Sequence, residues 1–200
     1  MPVTDYKTTH PATRSQWRKW LEKNHSSSSG VWLIYYKKDT GKRKFNYGDA
    51  VEEALCFGWI DSLPRKLDHK RAMLKFTPRK PKSVWSKLNK QRIEKLIDQK
   101  LMTAAGINKI EAAKNDGSWD PLNHADFHAD NNSLPEYLKK ALNKNKKALE
   151  NFHAFAPGYR KRFLFWIDSA KTPGTKAARI KQTLAMAAAN KKPGLKGFKM

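Results

Sequence analysis

Residues 57–89 read FGWIDSLPRKLDHKRAMLKFTPRKPKSVWSKLN, and the fold turns on how this stretch is parsed. WIDSLPRKLD and RAMLKFT are strand-like runs, and Asp68 to Lys70 between them is turn chemistry, which predicts an antiparallel pair. Pro64 lacks a backbone donor and places the first run at a sheet edge or a bulge. Pro78 and Pro81 stop any regular element. Ser83 is then predicted to open a helix over VWSKLNKQRIEKLID, with Trp85, Leu88, Ile93, Leu96 and Ile97 as its buried stripe.

Upstream, Thr13 or Ser15 can cap a helix that aligns Trp17, Trp20 and Leu21 at i, i+3, i+4. SSSSG (26–30) is a break, and VWLIYY (31–36) is the clearest strand in the chain. Asp39-Thr40-Gly41 predicts a turn, so KKDTGKRKF reads as a hairpin returning toward Phe45. Asn46 and Asp49 form a capping box ahead of YGDAVEEALCFG, which turns Val51, Ala54 and Leu55 inward and Glu52 and Glu53 outward. Cys56 falls on the apolar side as a small buried hydrophobe.

Downstream, TAAGINKIEAAKND closes at Gly117. Residues 118–133, rich in Asp, Asn and His, read as an irregular connection. LPEYLKKALNKNKKALENFHAF, YRKRFLFWIDSAK and TKAARIKQTLAMAAAN follow as three amphipathic helices. The expected fold class is α+β, with a small antiparallel sheet and helices in the N-terminal half and a helical C-terminal half. Its divisions are an α+β portion (1–100), a helix and acidic connection (101–132), a helical module (133–190) and a basic tail (191–200).

The chain has 41 basic and 18 acidic residues, a net charge of +23. Residues 61–100 carry 13 basic and 4 acidic residues, and 133–200 carry 16 and 3, while 101–132 carry 2 and 5. Such blocks attract polyanions without specifying a fold. One cysteine cannot form an intramolecular bridge, and no apolar run reaches the ~18 residues that span a bilayer. A cytoplasmic protein with no transmembrane segment is expected.

Five segments carry a family resemblance: VWLIYYK (31–37), YGDAVEEALCFGWID (47–61), FTPRKPKSVWSKLN (76–89), LIDQKLMTAAGINKIEAAKNDGSW (96–119) and WIDSAKTPGTKAARI (166–180). Together they resemble the YdeI/OmpD-associated family of bacterial proteins, also called bacteriocin-protection proteins, over about residues 15–188. Where that family often has two further arginines near its C-terminal Arg-Ile, this chain has Lys176 and Ala178. The resemblance implies protection against bacteriocins or cationic peptides, a stress response and an association with porins. It implies no reaction and supplies no catalytic residues. A +23 chain repels a cationic peptide at long range, so protection would run through a protein or anionic partner.

Trp59, Asp61, Arg79, Ser83, Trp85, Ser86 and Asn89 are the candidate anion or ligand site, with Ser83 at a helix start beside Arg79, Lys80 and Lys82. The competing structural reading pairs Asp61 with Arg79 and leaves Ser83 as a cap. Nucleic acid is an alternative partner. Its candidate phosphate contacts are Arg65, Lys66, Lys70, Arg71 and Lys75 near the predicted sheet, and Lys176 and Arg179 on the last helix. No helix-turn-helix, zinc-finger or RNP-type signature accompanies them. A third reading is an enzyme or binder of a small phosphorylated or carboxylated molecule, with Arg79, Ser83 and Asn89 as its clamp. His124 and His128 stand at i, i+4, but no third ligand appears at motif spacing, so neither a metal nor a cofactor is assigned.

Overall fold

Val31–Tyr36 is continuously apolar and aromatic and Arg71–Pro78 is mixed, and both run as extended strands whose successive side chains turn to opposite faces of the sheet. The structure, a computed structural model, describes residues 6–42 and 44–194. Residues 195–200 of the expected basic tail lie outside the described residues, as does Arg43 in the expected hairpin. The chain divides into two compact units, residues 1–120 and 121–200.

The first unit holds a four-stranded sheet in the order β1-β2-β4-β3, where β1 is Thr8–Thr9, β2 Val31–Tyr36, β3 Trp59–Lys66 and β4 Arg71–Pro78. β2, β4 and β3 are antiparallel, while the two-residue β1 runs parallel to β2, so the sheet is mixed. The register of β3 on β4 shifts between Asp61 and Pro64, where a bulge absorbs the proline. Lys38–Thr40 is a single 3-10 turn, and β2 pairs with β1 and β4; the expected hairpin toward Phe45 is absent from the described residues.

Val31, Leu33, Leu74 and Phe76 share one face and meet Trp17 and Leu21 of α1 (Arg14–Asn24) and Val51, Ala54 and Leu55 of α2 (Tyr47–Cys56). Thr13 caps α1, and the predicted Asn46–Asp49 capping box starts α2. Glu53 departs from its expected solvent position. It is 4% exposed because Arg14 Nε and Arg18 Nη1 reach its two carboxylate oxygens at 2.6 and 2.8 Å. The two cations compensate its buried charge.

α3 (Lys87–Asp98) starts at Ser86, three residues later than the sequence suggests. Lys82 sits at φ 59°, in the left-handed region, which no helix continues through. The buried residues of α3 are Asn89, Ile93 and Leu96, whereas Leu88 and Ile97 are exposed. α4 (Ala104–Asn115) packs its start against the end of α2. There the Thr103 hydroxyl donates to Cys56 O at 2.6 Å, and a Cβ at Gly106 would lie 2.4 Å from that same oxygen. Gly58, at φ +70°, faces Lys109 Cγ as closely. These two glycines let α4 approach the end of α2.

In the second unit, α5 (Asn123–Asp130), α6 (Glu136–Leu142), α7 (Lys146–Ala154), α8 (Pro157–Asp168) and α9 (Pro173–Ala188) enclose Leu138, Leu142, Phe152, Phe163, Leu164 and Ile167. α5 corrects the expectation of an irregular connection at 118–133. The long helix expected at 134–155 is two, because Asn145 caps a new one with its side chain accepting from Ala148 N. Among the described residues, no helix is long and apolar enough to cross a membrane.

Candidate functional site

β4 ends at Pro78, and the chain enters the loop RKPKSVWS (79–86) with Arg79 N donating to Gly58 O at 2.9 Å. That bond fixes the Arg79 backbone against the α2–β3 corner. The side chain then runs inward and is 2% exposed. Its guanidinium carbon stands 3.6 Å from the Trp85 ring centroid, a close cation–π contact. Nη1 carries all of its hydrogen bonds, donating to Ser83 O at 3.3 Å, Ser83 Oγ at 3.1 Å and Val84 O at 3.2 Å. Nε and Nη2, the other edge of the fork, are buried and have no acceptor among the described residues.

A small cavity of about 50 Å³ lies there, lined by Arg79, Lys80, Lys82, Ser83 and Trp85 from the loop and by Lys109, Ala112, Ala113, Asp116 and Ser118 from α4 and its exit. Trp85 is held from another side by Trp119, with ring centroids 5.1 Å apart. Ser118 is 6% exposed, and its hydroxyl lies near the Asp116 carboxylate. That hydroxyl, followed by the Ser118 and Lys82 N–H groups, holds Asp116 below the usual carboxylate range. Asp116 Oδ1 accepts from Ser118 N at 2.9 Å and Oδ2 from Lys82 N at 3.1 Å. Both oxygens thus shape the loop.

Burial lowers the Arg79 pKa to about 10, an effect the Asp61 charge partly opposes, so the group stays cationic at neutral pH. A buried cation with a vacant two-donor edge is costly unless an acceptor meets it. Two parallel N–H groups match the oxygen spacing of a carboxylate, sulfate or phosphate. Lys80, Lys82 and Lys109 add positive charge around the same opening.

Of the seven residues expected at the site, the structure brings together Arg79, Ser83 and Trp85. The expected Asp61–Arg79 pair does not form: Asp61 Oδ2 accepts from the Tyr47 hydroxyl at 2.8 Å. Burial, with that hydrogen bond, pushes the Tyr47 phenol up to about 12. Trp59 is a core residue whose Nε1 donates to His25 O. Ser86 accepts from Asn89 N as the cap of α3, and Asn89 Oδ1 accepts from Arg92. Ser83 is not at a helix start, so its contribution is a hydroxyl and a carbonyl that hold Arg79. Sequence reasoning missed Lys109, Asp116 and Ser118, which lie some thirty residues along the chain. The local signal for them was Asp-Gly-Ser after a helix, an Asx-turn pattern.

The candidate phosphate contacts divide between the units. Arg65, Lys66, Lys70, Arg71 and Lys75 lie on or between β3 and β4, with Arg71 Nε donating to Asp68 at 2.7 Å. Lys176 stands 4.0 Å from the Tyr137 ring centroid, and Arg179 Nη1 donates to Trp166 O and Ser169 Oγ. His124 and His128 sit on α5 with centroids 4.6 Å apart, Nδ1 of the first on Asp168 and of the second on Ser133 Oγ. No cluster able to hold a metal occurs among the described residues. Cys56 is buried, and burial raises its thiol to about 11.

Two family models match the chain. Residues 132–190 match the bacteriocin-protection, YdeI or OmpD-associated family, a narrower span than the resemblance across residues 15–188 suggested. Residues 9–109, half of the chain, match a domain of unknown function, DUF8412. No curated protein and no solved structure matches. The chain therefore belongs to the DUF8412 family through its sheet-bearing unit and carries a YdeI/OmpD-associated domain after it.

Proposed function

We propose that this chain is a non-enzymatic binding protein whose first unit receives a single oxyanionic group, of the phosphate or sulfate class, on the Nε–Nη2 edge of Arg79. The observation that carries this reading is the vacant edge: two buried donors of a cationic group have no acceptor among the described residues, and the arginine that bears them lines a small cavity. The lining supplies donors and cations. Among the described residues its one carboxylate, Asp116, is held low and no histidine lines the cavity, so binding is favoured over catalysis. The YdeI/OmpD-associated description of residues 132–190 names bacteriocin protection. Protection through an anionic partner suits a chain of net charge +23 better than direct capture of a cationic peptide.

The test is thermal unfolding in inorganic phosphate against chloride at matched ionic strength, for wild type and Arg79→Lys. Phosphate should raise the melting temperature of the wild type, since a ligand at a hundred times its Kd stabilises by about 2.7 kcal/mol. Arg79→Lys keeps the charge, loses the two parallel donors and should lose the phosphate-specific response. Equal melting temperatures of the wild type in the two salts would overturn the reading.

A further inference from the structure

The face of the sheet opposite the core has its own chemistry. In the ladder, Trp32 stands across from Lys75, Ile34 from Met73, Tyr36 from Arg71 and Met73 from Arg65. By the two-residue period, these side chains share the face turned away from Val31, Leu33, Leu74 and Phe76. Trp32 is buried, with the Arg65 guanidinium 5.0 Å above its ring, so the cation is held at the face. Past the Tyr36 end of β2 lies a cleft of about 280 Å³, lined by His10 and Tyr36, by Tyr35 and Phe45 from the core side, and by Lys42 and Lys44. The His10 and Tyr36 rings are tilted at 5.3 Å, and Lys42 Nζ stands 6.0 Å from the Tyr36 centroid.

Several carboxylates of this unit are committed to arginines. Asp49, Glu52 and Glu53 pair with Arg14 on the helical side of the sheet, and Asp68 is committed to Arg71. No carboxylate lines the cleft among the described residues. An aromatic cleft that meets a cationic strand face at Tyr36 is complementary to unpaired bases on a phosphate backbone. It is a poor match for a duplex, whose bases are stacked inside.

We propose that this cleft and face bind single-stranded nucleic acid. One base stacks on Tyr36 within the cleft, Lys42 and Lys44 meet the adjacent phosphates, and the strand continues past Arg71 and Lys75. The site lies at the opposite end of β4 from Arg79 and is independent of the oxyanion cavity. No residue of this arrangement reads a base edge, so the recognition is of single-strandedness.

The experiment is fluorescence anisotropy of labelled dT12 and rU12, with a 12-base-pair duplex as competitor, on nuclease-treated full-length protein across a salt series. Wild type should bind both single strands below micromolar at low salt, with log–log slopes near −0.7 per phosphate contacted, and duplex should compete at least tenfold less well. Tyr36→Ala should weaken binding by tenfold or more, in keeping with the loss of one stacked base. Lys42→Glu/Lys44→Glu, at two exposed residues, should weaken it further and flatten the slope. Arg79→Lys should leave it unchanged, while Tyr36→Ala should retain the phosphate-dependent thermal shift. Equal competition by duplex, or undiminished binding in both the Tyr36 and the Lys42/Lys44 variants, would overturn the proposal.

Discussion

Two arginines, one in each unit, are almost wholly withdrawn from solvent, and they are used in opposite ways. Arg160 on α8 leaves Nε unpaired among the described residues but spends both terminal nitrogens on protein: Nη1 donates to Asn132 Oδ1 and His153 O, and Nη2 to Ala129 O at 2.5 Å. Two of these acceptors are carbonyls near the C-termini of α5 and α7, where unpaired backbone oxygens and the helix dipole favour a cation. Arg79 spends one nitrogen on its own loop and keeps an edge vacant. The acceptors it uses belong to Ser83 and Val84, which are only partly buried and recover water readily. A buried cation with both ends engaged fastens elements together, whereas one with a preformed empty edge is arranged as a receptor. Glu53 is a third variant, a buried anion closed off by two cations.

The contrast is sharpest under the same substitution. Arg160→Met should destabilise the second unit by about 3 kcal/mol, because charge-assisted bonds are lost and the buried Ala129 carbonyl is orphaned. A lowered urea midpoint at unchanged slope would record this. Arg79→Met removes an uncompensated buried charge together with its bonds. It should cost less than about 1 kcal/mol in the same experiment while abolishing the response to phosphate. Equal costs for the two variants would break the comparison and make Arg79 a fastener too.

The smallest effect is assigned to Asp116→Asn, the carboxylate that lines the Arg79 cavity. Its pKa is depressed in the fold, so its contribution is present above the unfolded value of about 3.8 and is lost as pH falls through its lower folded value. Wild type and variant should differ slightly at pH 7 and converge in strong acid, with the phosphate response retained. A loss at pH 7 as large as that of Arg160→Met would identify Asp116 as the counter-ion of Arg79.

Much of the architecture was legible locally. VWLIYY announces a strand by β-branched and aromatic content, RAMLKF reads as its apolar partner beyond a turn, and Asn46 with Asp49 announces a helix start. Elements whose cause is distant were not legible. Thr8–Thr9 is a strand because β2 offers it an edge, and two residues carry no period. The α5 sequence, NHADFHAD, is a poor helix former held by packing of Ala125 and Ala129. Ser83 looked like a helix cap because Lys82's left-handed backbone and Arg79's hold on Ser83 O and Val84 O are invisible in a list of residue types.

The α+β class, the family relationship, the two basic blocks and most helix caps follow from residues within a few positions of one another, since propensity, period and capping are short-range effects. The candidate site does not. Its arginine, serine and tryptophan were visible, but the empty edge is defined by which groups fail to arrive from elsewhere in the chain. Only the close approach of α4, permitted by Gly58 and Gly106, decides that Lys109 and Ser118 line the cavity while Asp61 turns to Tyr47. Vacancy is a property of three-dimensional packing, and no local rule encodes it.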